Sequence, residues 1–158
     1  MDAAAAFLAV RPRSVAETRR RLRHLGYPHE LVDTVVGRLV EMGYLDDAAF
    51  ARTWVESRDR ARPRGESALR RELTLKGVPR QVIDETLAER AESSESEAPD
   101  RAAALALLER RRAALDREAD PRRRRQKAYA LLARNGFDPE TCREVSRQVA
   151  AGAETDIG

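Results

Sequence analysis

The sequence predicts an all-α fold built as three tandem three-helix modules. Alanine, leucine, arginine and glutamate dominate the 158 residues, and all four are good helix formers. No run of alternating β-branched residues is present, so nothing in the pattern favours a sheet. Aromatic residues make up only 4% of the chain, and small modules that share apolar surfaces suit so few large side chains.

A threefold repeat anchored on glycine supports the modular prediction. The segments RRRLRHLGYPHELVDTVVGRL, LRRELTLKGVPRQVIDETLAER and AYALLARNGFDPETCREVSRQV align on Gly26, Gly77 and Gly136. Each glycine follows a leucine by four positions and precedes an apolar residue and then a proline. Glycine closes a helix in the left-handed conformation and proline opens the next one. Each repeat therefore predicts two helices joined by a tight turn.

A further helix precedes each of these pairs, which gives nine predicted helices. The three leading helices are residues 3–10, 46–60 and 99–120. The first ends before Pro12, the RPRG sequence ends the second, and Pro121 restarts the chain after the third. Ser14, with Glu17 three residues later, predicts a capping box at the start of the helix that follows the first.

The repeat sets the expected domain boundaries. Three-helix modules are predicted at residues 1–45, 46–90 and 99–151. Residues 91–98 are acidic, rich in serine and free of large apolar side chains, which is typical of a flexible linker. Residues 152–158 are predicted to be a disordered tail.

The cysteine count and the hydropathy of the sequence predict the cellular compartment of the protein. The one cysteine, Cys142, cannot form an internal disulfide, which fits a reducing compartment. It stands where the sister repeats have valine and isoleucine, so we expect it in the core. No apolar run approaches the ~20 residues that span a bilayer, and AAAAFLAV is too short for a signal region. A cytoplasmic protein without membrane contact is expected.

The stretch GYLDDAAFARTWVESR, residues 43–58, is the strongest candidate for a chemical site because it holds two adjacent acids. A helix start explains it better. Gly43 ends the preceding helix, and Asp46 or Asp47 caps the next one. Phe50 and Trp54 then share the buried face of that helix at helical spacing.

Other chemistry has less support. His24 and His29 have no cysteine or acidic companions at a metal-binding spacing. Phosphate-binding and dinucleotide-binding glycine motifs are absent. The sequence therefore predicts no catalytic residues, no metal, no cofactor and no enzymatic activity.

Charge indicates an anionic partner, either nucleic acid or acidic protein. The net charge is +3, but residues 91–100 carry −4 between stretches of +3 and +4. A local excess of +4 lies between Arg52 and Arg71, and a second run of arginines opens the eighth predicted helix, where positive charge opposes the helix dipole. The predicted partner-binding residues are Arg58, Arg62, Arg64, Arg70, Arg71, Arg122, Arg123, Arg124 and Arg125. Solvated surface charge is the alternative explanation of both runs.

The central motif resembles the RecX family, regulators of the bacterial RecA recombinase. GYLDDAAFARTWVESR is followed by RPRGESALRRELTLKGV and VIDETL, while RPRSVAETRRRLRHLGY and RNGFDPETCREV are similar to the family's first and last modules. The resemblance covers about residues 7–150. Its structural positions are Gly43, Tyr44, Leu45, Asp46, Asp47, Phe50, Trp54, Gly65, Leu73 and Gly77.

The resemblance implies an elongated, curved arrangement of the modules and a non-enzymatic role in DNA recombination and repair. Such a protein binds the RecA–DNA filament and suppresses its ATP hydrolysis, strand exchange and co-protease activity. We expect a monomer. A direct DNA-binding protein is the alternative function, because tight glycine turns between short helices also suit helix-turn-helix modules. Interleaved acids and a net charge of +3 predict only weak direct contact with DNA.

Overall fold

The computed structural model describes residues 1–93 and 98–151, with side chains described as far as residue 148. Within these ranges the chain forms ten α-helices and no β-strand, which confirms the predicted all-α class. The helices are α1 Asp2–Val10, α2 Val15–His24, α3 His29–Glu41, α4 Asp47–Ala61, α5 Glu66–Leu75, α6 Arg80–Glu92, α7 Pro99–Arg110, α8 Arg112–Asp116, α9 Pro121–Arg134 and α10 Pro139–Ala151.

The leading helix of the third module is shorter than predicted. A single helix as far as residue 120 is wrong, because α7 ends at Arg110 and the short helix α8 follows it. Arg111 has φ −106° and donates its N–H to the Leu108 carbonyl at 3.0 Å, a tighter turn than an α-helix makes. Leu115 of α8 then joins the same buried cluster as Leu108.

Two predicted segments fall partly or wholly outside the described residues. Of the predicted linker, residues 94–97 lie outside them, while α6 continues to Glu92. The predicted tail, residues 152–158, also lies outside them.

Four helices end in the same glycine turn. Gly26, Gly43, Gly77 and Gly136 have φ between +75° and +88°. At each turn the glycine N–H reaches the carbonyl three residues back, and the next N–H reaches the carbonyl five residues back. This pair of bonds is the Schellman motif, and it satisfies carbonyls that the end of a helix leaves unpaired. The left-handed glycine turns predicted from the repeat are confirmed.

The chain divides into two compact units, in each of which two sequence segments come together. The first unit contains Met1–Trp54 and Arg71–Thr86, and the second contains Val55–Arg70 and the described residues from Leu87 onward. Helices α4, α5 and α6 contribute residues to both units.

A hydrogen-bonded cap joins the two segments of the first unit. Ser14 Oγ accepts the Glu17 N–H at 3.0 Å and donates to the Lys76 carbonyl at 2.5 Å. The Glu17 carboxylate accepts the Ser14 N–H and the Lys76 ammonium, both at 3.1 Å, which confirms the predicted capping box. Burial raises the pKa of Glu17, but these two donors outweigh it and the pKa lies below its ordinary value.

The second unit has an apolar core around α7, α9 and α10. Leu107, Leu132 and Val145 are among its buried members. Cys142 is fully buried there, as predicted, and its Sγ lies 3.5 Å from the Phe137 carbonyl. Burial raises the pKa of the Cys142 thiol, so the group stays protonated at neutral pH. Among the described helices, none is long and apolar enough to cross a membrane.

Candidate functional site

The paired acids of residues 43–58 serve the backbone. Asp46 Oδ1 accepts the Ala49 N–H at 3.0 Å, which makes Asp46 the cap of α4. Asp47 Oδ1 accepts the Val15 N–H at 3.0 Å and so joins the start of α4 to the start of α2. Burial raises the pKa of Asp47. In the part of the chain that the structure describes, no three His, Cys, Asp or Glu side chains are grouped to hold a metal ion.

Trp54 lies half-buried at the edge of the core. Its indole N–H donates to Glu72 Oε2 at 2.9 Å, and its ring stacks on buried Phe50 with centroids 5.9 Å apart. Lys76 Nζ lies 5.0 Å from the ring centroid. Trp54 is less deeply buried than Phe50, with which it was predicted to share the buried face of α4, because its indole N–H takes a polar partner at the edge. Leu73 is fully buried.

The break between α4 and α5, residues 62–65, is held at both sides by α7. Asp100, near the start of α7, accepts the N–H of Glu66, the first residue of α5, at 2.9 Å. Arg110, the last residue of α7, donates to the carbonyl of Ala61 at the end of α4 at 2.5 Å. A carboxylate at a helix N-terminus and a guanidinium at a C-terminus both complement the helix dipole. Helix α7 therefore fixes the two helix ends that meet at the break.

Arg90 supplies the buried charge beside this break. Its side chain is 8% exposed and donates to both oxygens of Asp59, at 2.8 and 2.9 Å, and to Asp100 at 2.7 Å. Burial lowers the pKa of Arg90, but the hydrogen bonds that it donates to the two carboxylates raise it more, so the guanidinium remains charged. This triad joins α4, α6 and α7.

The break also packs directly on the glycine turn at the end of α9. The Gly65 N–H donates to the Asn135 carbonyl at 2.9 Å, and Ser67 Oγ donates to the Gly136 carbonyl at 2.8 Å. A Cβ on Gly65 would lie 2.2 Å from the Gly136 oxygen, so no other residue fits there without movement of the backbone. Arg64 donates to the Asn135 side-chain oxygen.

Two of the nine predicted partner-binding arginines are engaged inside the second unit. Arg64 contacts Asn135, as described above. Arg124 is 9% exposed, and its Nε and Nη2 donate to the Glu118 carbonyl at 3.0 and 2.8 Å. Both side chains therefore stabilise turns within the second unit.

The other seven are at least partly accessible. Arg58 and Arg70 are half-buried, and Arg70 lies 3.3 Å from Glu66. The exposed members are Arg62, Arg122, Arg123 and Arg125 in the second unit and Arg71 in the first.

Several exposed arginines were missed by the sequence analysis. Arg60 precedes the break, and Arg111, Arg112 and Arg117 lie on or beside α8. The signal was present in the composition, but the predicted continuous helix to residue 120 hid the turns that expose these three side chains.

Exposed apolar side chains mark the first unit. Among the described residues, all the large ones fall there: Met1, Val10, Leu25, Tyr27, Leu31, Val40, Met42, Tyr44 and Leu75. Tyr27 is 42% exposed, whereas Val78 and Phe137, its counterparts in the sister turns, are each 5% exposed. Tyr27 and Leu31 line an apolar cavity of about 60 Å³ between α1, α2 and α3. Such exposed apolar groups are typical of surfaces that bind proteins.

Fold and surface together define a class of all-α proteins in which short helices are joined by glycine turns and many arginines and apolar side chains are exposed. The chain belongs to the RecX family. Family models described as the first, second and third three-helix domains of RecX match residues 1–39, 46–87 and 99–145. The family resemblance of the central motif is thereby confirmed.

Relatives and solved structures agree with this membership. The Regulatory protein RecX of Prosthecochloris aestuarii is 34% identical over 144 residues, covering 91% of this chain and 89% of the relative. That of Mycobacterium avium is 36% identical over 148 residues, covering 93% and 83%. The crystal structure of RecX from Lactobacillus salivarius shares the fold, with a TM-score of 0.77 at 16% identity over 95% of this chain and 94% of the other. A second crystal structure, of a regulatory protein RecX, has a TM-score of 0.74 at 21% identity, covering 90% and 68%.

Proposed function

We propose that this chain regulates the RecA recombinase by binding the RecA–DNA filament, and that its main effect is to suppress ATP hydrolysis, strand exchange and co-protease activity. The observation that carries the proposal is the match of all three RecX domains, in order, along one chain. The relatives' shared description as regulatory proteins supports a role exerted on another macromolecule. Regulation then acts through binding, without chemistry of the chain's own.

Two kinds of surface support a protein partner. Tyr27 and Leu31 offer apolar anchors beside a small cavity, and aromatic anchors in pockets contribute much of the energy of protein interfaces. Exposed Arg60 and Arg62 lie beside a break that α7 and Arg90 hold in place. Because this backbone is fixed before binding, little backbone conformational entropy is lost when its arginines meet carboxylates or phosphates.

Several small domains also suit a repeating partner. A filament presents the same surface on each protomer, so weak contacts made by separate domains add through effective concentration. Filament binding can therefore be strong although each contact is modest.

The experiment that tests the function is a titration of the DNA-dependent ATPase of RecA with this protein. We expect inhibition by the wild type. The Arg60→Glu/Arg62→Glu double variant should need about tenfold more protein for half-inhibition, because each exposed charge contributes roughly 0.7 kcal/mol. Its melting curve should match that of the wild type, since both side chains are exposed.

A matched control is Arg20→Glu/Arg21→Glu, which makes the same charge change on exposed positions of α2. It should inhibit like the wild type. A wild-type protein without effect on RecA would refute the function. Equal loss in both double variants, or no loss in the Arg60/Arg62 variant across a range of salt, would refute this surface only.

A further inference from the structure

The glycine turn of the second domain is covered by the start of a helix of the first domain. A Cβ added to Gly77 would lie 2.3 Å from the Cβ of Ala16, in the first turn of α2. Ser14, the cap of the same helix, donates its hydroxyl to the Lys76 carbonyl at 2.5 Å. Val78, which follows the turn, is 5% exposed. A small side chain and a hydroxyl donor at a helix start therefore cover this turn.

The glycine turn of the third domain is covered in the same way. A Cβ added to Gly136 would lie 2.4 Å from the Cβ of Ala68, in the first turn of α5. Ser67, in the same turn of α5, donates its hydroxyl to the Gly136 carbonyl at 2.8 Å. Two copies of the repeat thus show one arrangement, in which the first turn of a helix lies directly on a glycine turn.

The glycine turn of the first domain has no such cover among the described residues. Gly26 has φ +88°, close to the values of its counterparts, yet a Cβ added there would meet no atom within 4 Å. No described residue donates a hydrogen bond to the carbonyl of Leu25 or of Gly26. The backbone surface that the sister turns use for packing is therefore accessible at this turn.

Apolar side chains surround the open turn. Leu25, Tyr27 and Leu31 are 45%, 42% and 48% exposed, and the last two line the cavity of about 60 Å³. Leu25 stands where the sister turns have Lys76 and Asn135, so an apolar side chain at this position is particular to the first domain. A turn with an accessible backbone and an apolar rim is suited to a protein partner.

A second copy of the chain is a poor candidate for the cover. The starts of α2 and α5 already lie on the sister turns. The corresponding helix start in the third domain is that of α9, whose first turn carries Arg122 and Arg123. Their long side chains are exposed and would prevent the close approach that Ala16 and Ala68 allow.

We propose that the Gly26 turn docks on the first turn of a helix of the partner protein, and that this helix start carries a small side chain and a hydroxyl donor. The inference rests on the proposed function, in which the partner is the RecA filament. A hydroxyl of the partner donates to the Leu25 or Gly26 carbonyl, while Tyr27 and Leu31 pack beside its helix. Carbonyls at the end of α2 carry partial negative charge and a helix start carries partial positive charge, so the two ends attract each other.

Gly26→Asn tests this docking, because asparagine tolerates the left-handed conformation and its side chain would occupy the space above the turn. Gly43→Asn is the matched control: Gly43 has φ +75° and equally open surroundings, but its turn joins α3 to α4. Urea titration should show equal free energies of unfolding for the two variants. Co-sedimentation with RecA-coated DNA at physiological salt should show about tenfold weaker binding for Gly26→Asn only.

A second pair of variants tests the apolar rim without changing a glycine. Leu31→Ser should weaken filament binding about fivefold. Val40→Ser, on the same helix and 45% exposed, should bind like the wild type.

The outcomes separate the docking from the function on which it rests. Equal binding by the two asparagine variants, or by the two serine variants, would overturn the docking and leave regulation of RecA intact. Self-association of the wild type that Gly26→Asn abolishes, measured by sedimentation velocity, would assign the turn to a second copy instead. A wild type that does not bind the filament would contradict the proposed function, and the docking with it.

Discussion

Gly136→Ala should destabilise the protein by about 2–5 kcal/mol, through backbone strain and overpacking together. Its φ of +85° is left-handed, and an alanine there costs about 1–2 kcal/mol. The new Cβ would also lie 2.4 Å from Ala68 Cβ and 2.6 Å from Ala68 N. Since one of these neighbours is backbone, relief requires movement of α5, and overpacking of this kind costs about 1–3 kcal/mol more.

Substitutions at two other glycines separate the cost of the left-handed backbone from the cost of overpacking. Gly26 has φ +88°, but a Cβ added there would have open space around it, so Gly26→Ala should show the conformational cost alone, about 1–2 kcal/mol. Gly37 lies within α3, where an added Cβ would also meet no neighbour, and Gly37→Ala should stabilise by about 0.5–1 kcal/mol. Urea unfolding monitored by circular dichroism measures the free energy of unfolding of all three variants. Equal losses for Gly136→Ala and Gly26→Ala would contradict the close packing of the break on the glycine turn.

Arg90→Met should destabilise the protein by about 3 kcal/mol. Methionine keeps the apolar stem, but Asp59 and Asp100 are left without their shared cation. Removal of the buried guanidinium is costly because the two carboxylates, 36% and 19% exposed, are only partly solvated and lose their shared partner. The loss should also loosen the start of α5, whose first N–H Asp100 accepts.

Arg19→Met is the matched control for this variant. Arg19 pairs with Asp33 at 3.0 Å, but the two side chains are 38% and 57% exposed. Exposed pairs contribute about 0–1 kcal/mol, so this variant should unfold close to the wild type. A loss at Arg90→Met no greater than that at Arg19→Met would show that the triad does not hold the break.

The features that sequence predicted correctly are local ones. The glycine turns, the Ser14–Glu17 capping box and the Asp46 cap each depend on residues within about six positions of one another. Comparison with its counterparts in the sister repeats is enough to place Cys142 in the core. Such patterns specify hydrogen bonds that form within one turn or one helix end, so no tertiary knowledge is needed to read them.

The features that sequence missed join distant segments. Gly65 was expected only to break a helix, whereas its lack of a side chain lets it approach Gly136, 71 positions away. The Arg90 triad draws on α4, α6 and α7, and charge pattern alone does not single it out from the many other acids and arginines. Hydrophobic periodicity does not predict long-range contacts of this kind.

The inward position of Arg124 had a readable signal. Arg124, Ala128 and Leu132 are spaced by four residues, and all three are buried on one face of α9. Grouping the four consecutive arginines as one surface ignored this periodicity. The exposure of Arg111 and Arg117 had no comparable signal, because it depends on the turn between α7 and α8.

The most direct test of the central claim compares binding of this protein to RecA-coated DNA and to bare DNA of the same length. Near 150 mM salt, binding through phosphate contacts alone is weak. Contacts repeated along a filament strengthen one another and raise the overall affinity. We predict an affinity for the coated filament about 100-fold higher than for bare DNA, with a shallower dependence on salt. Equal affinity for the two, or tighter binding to bare DNA at every salt concentration, would contradict a regulator directed at the RecA filament.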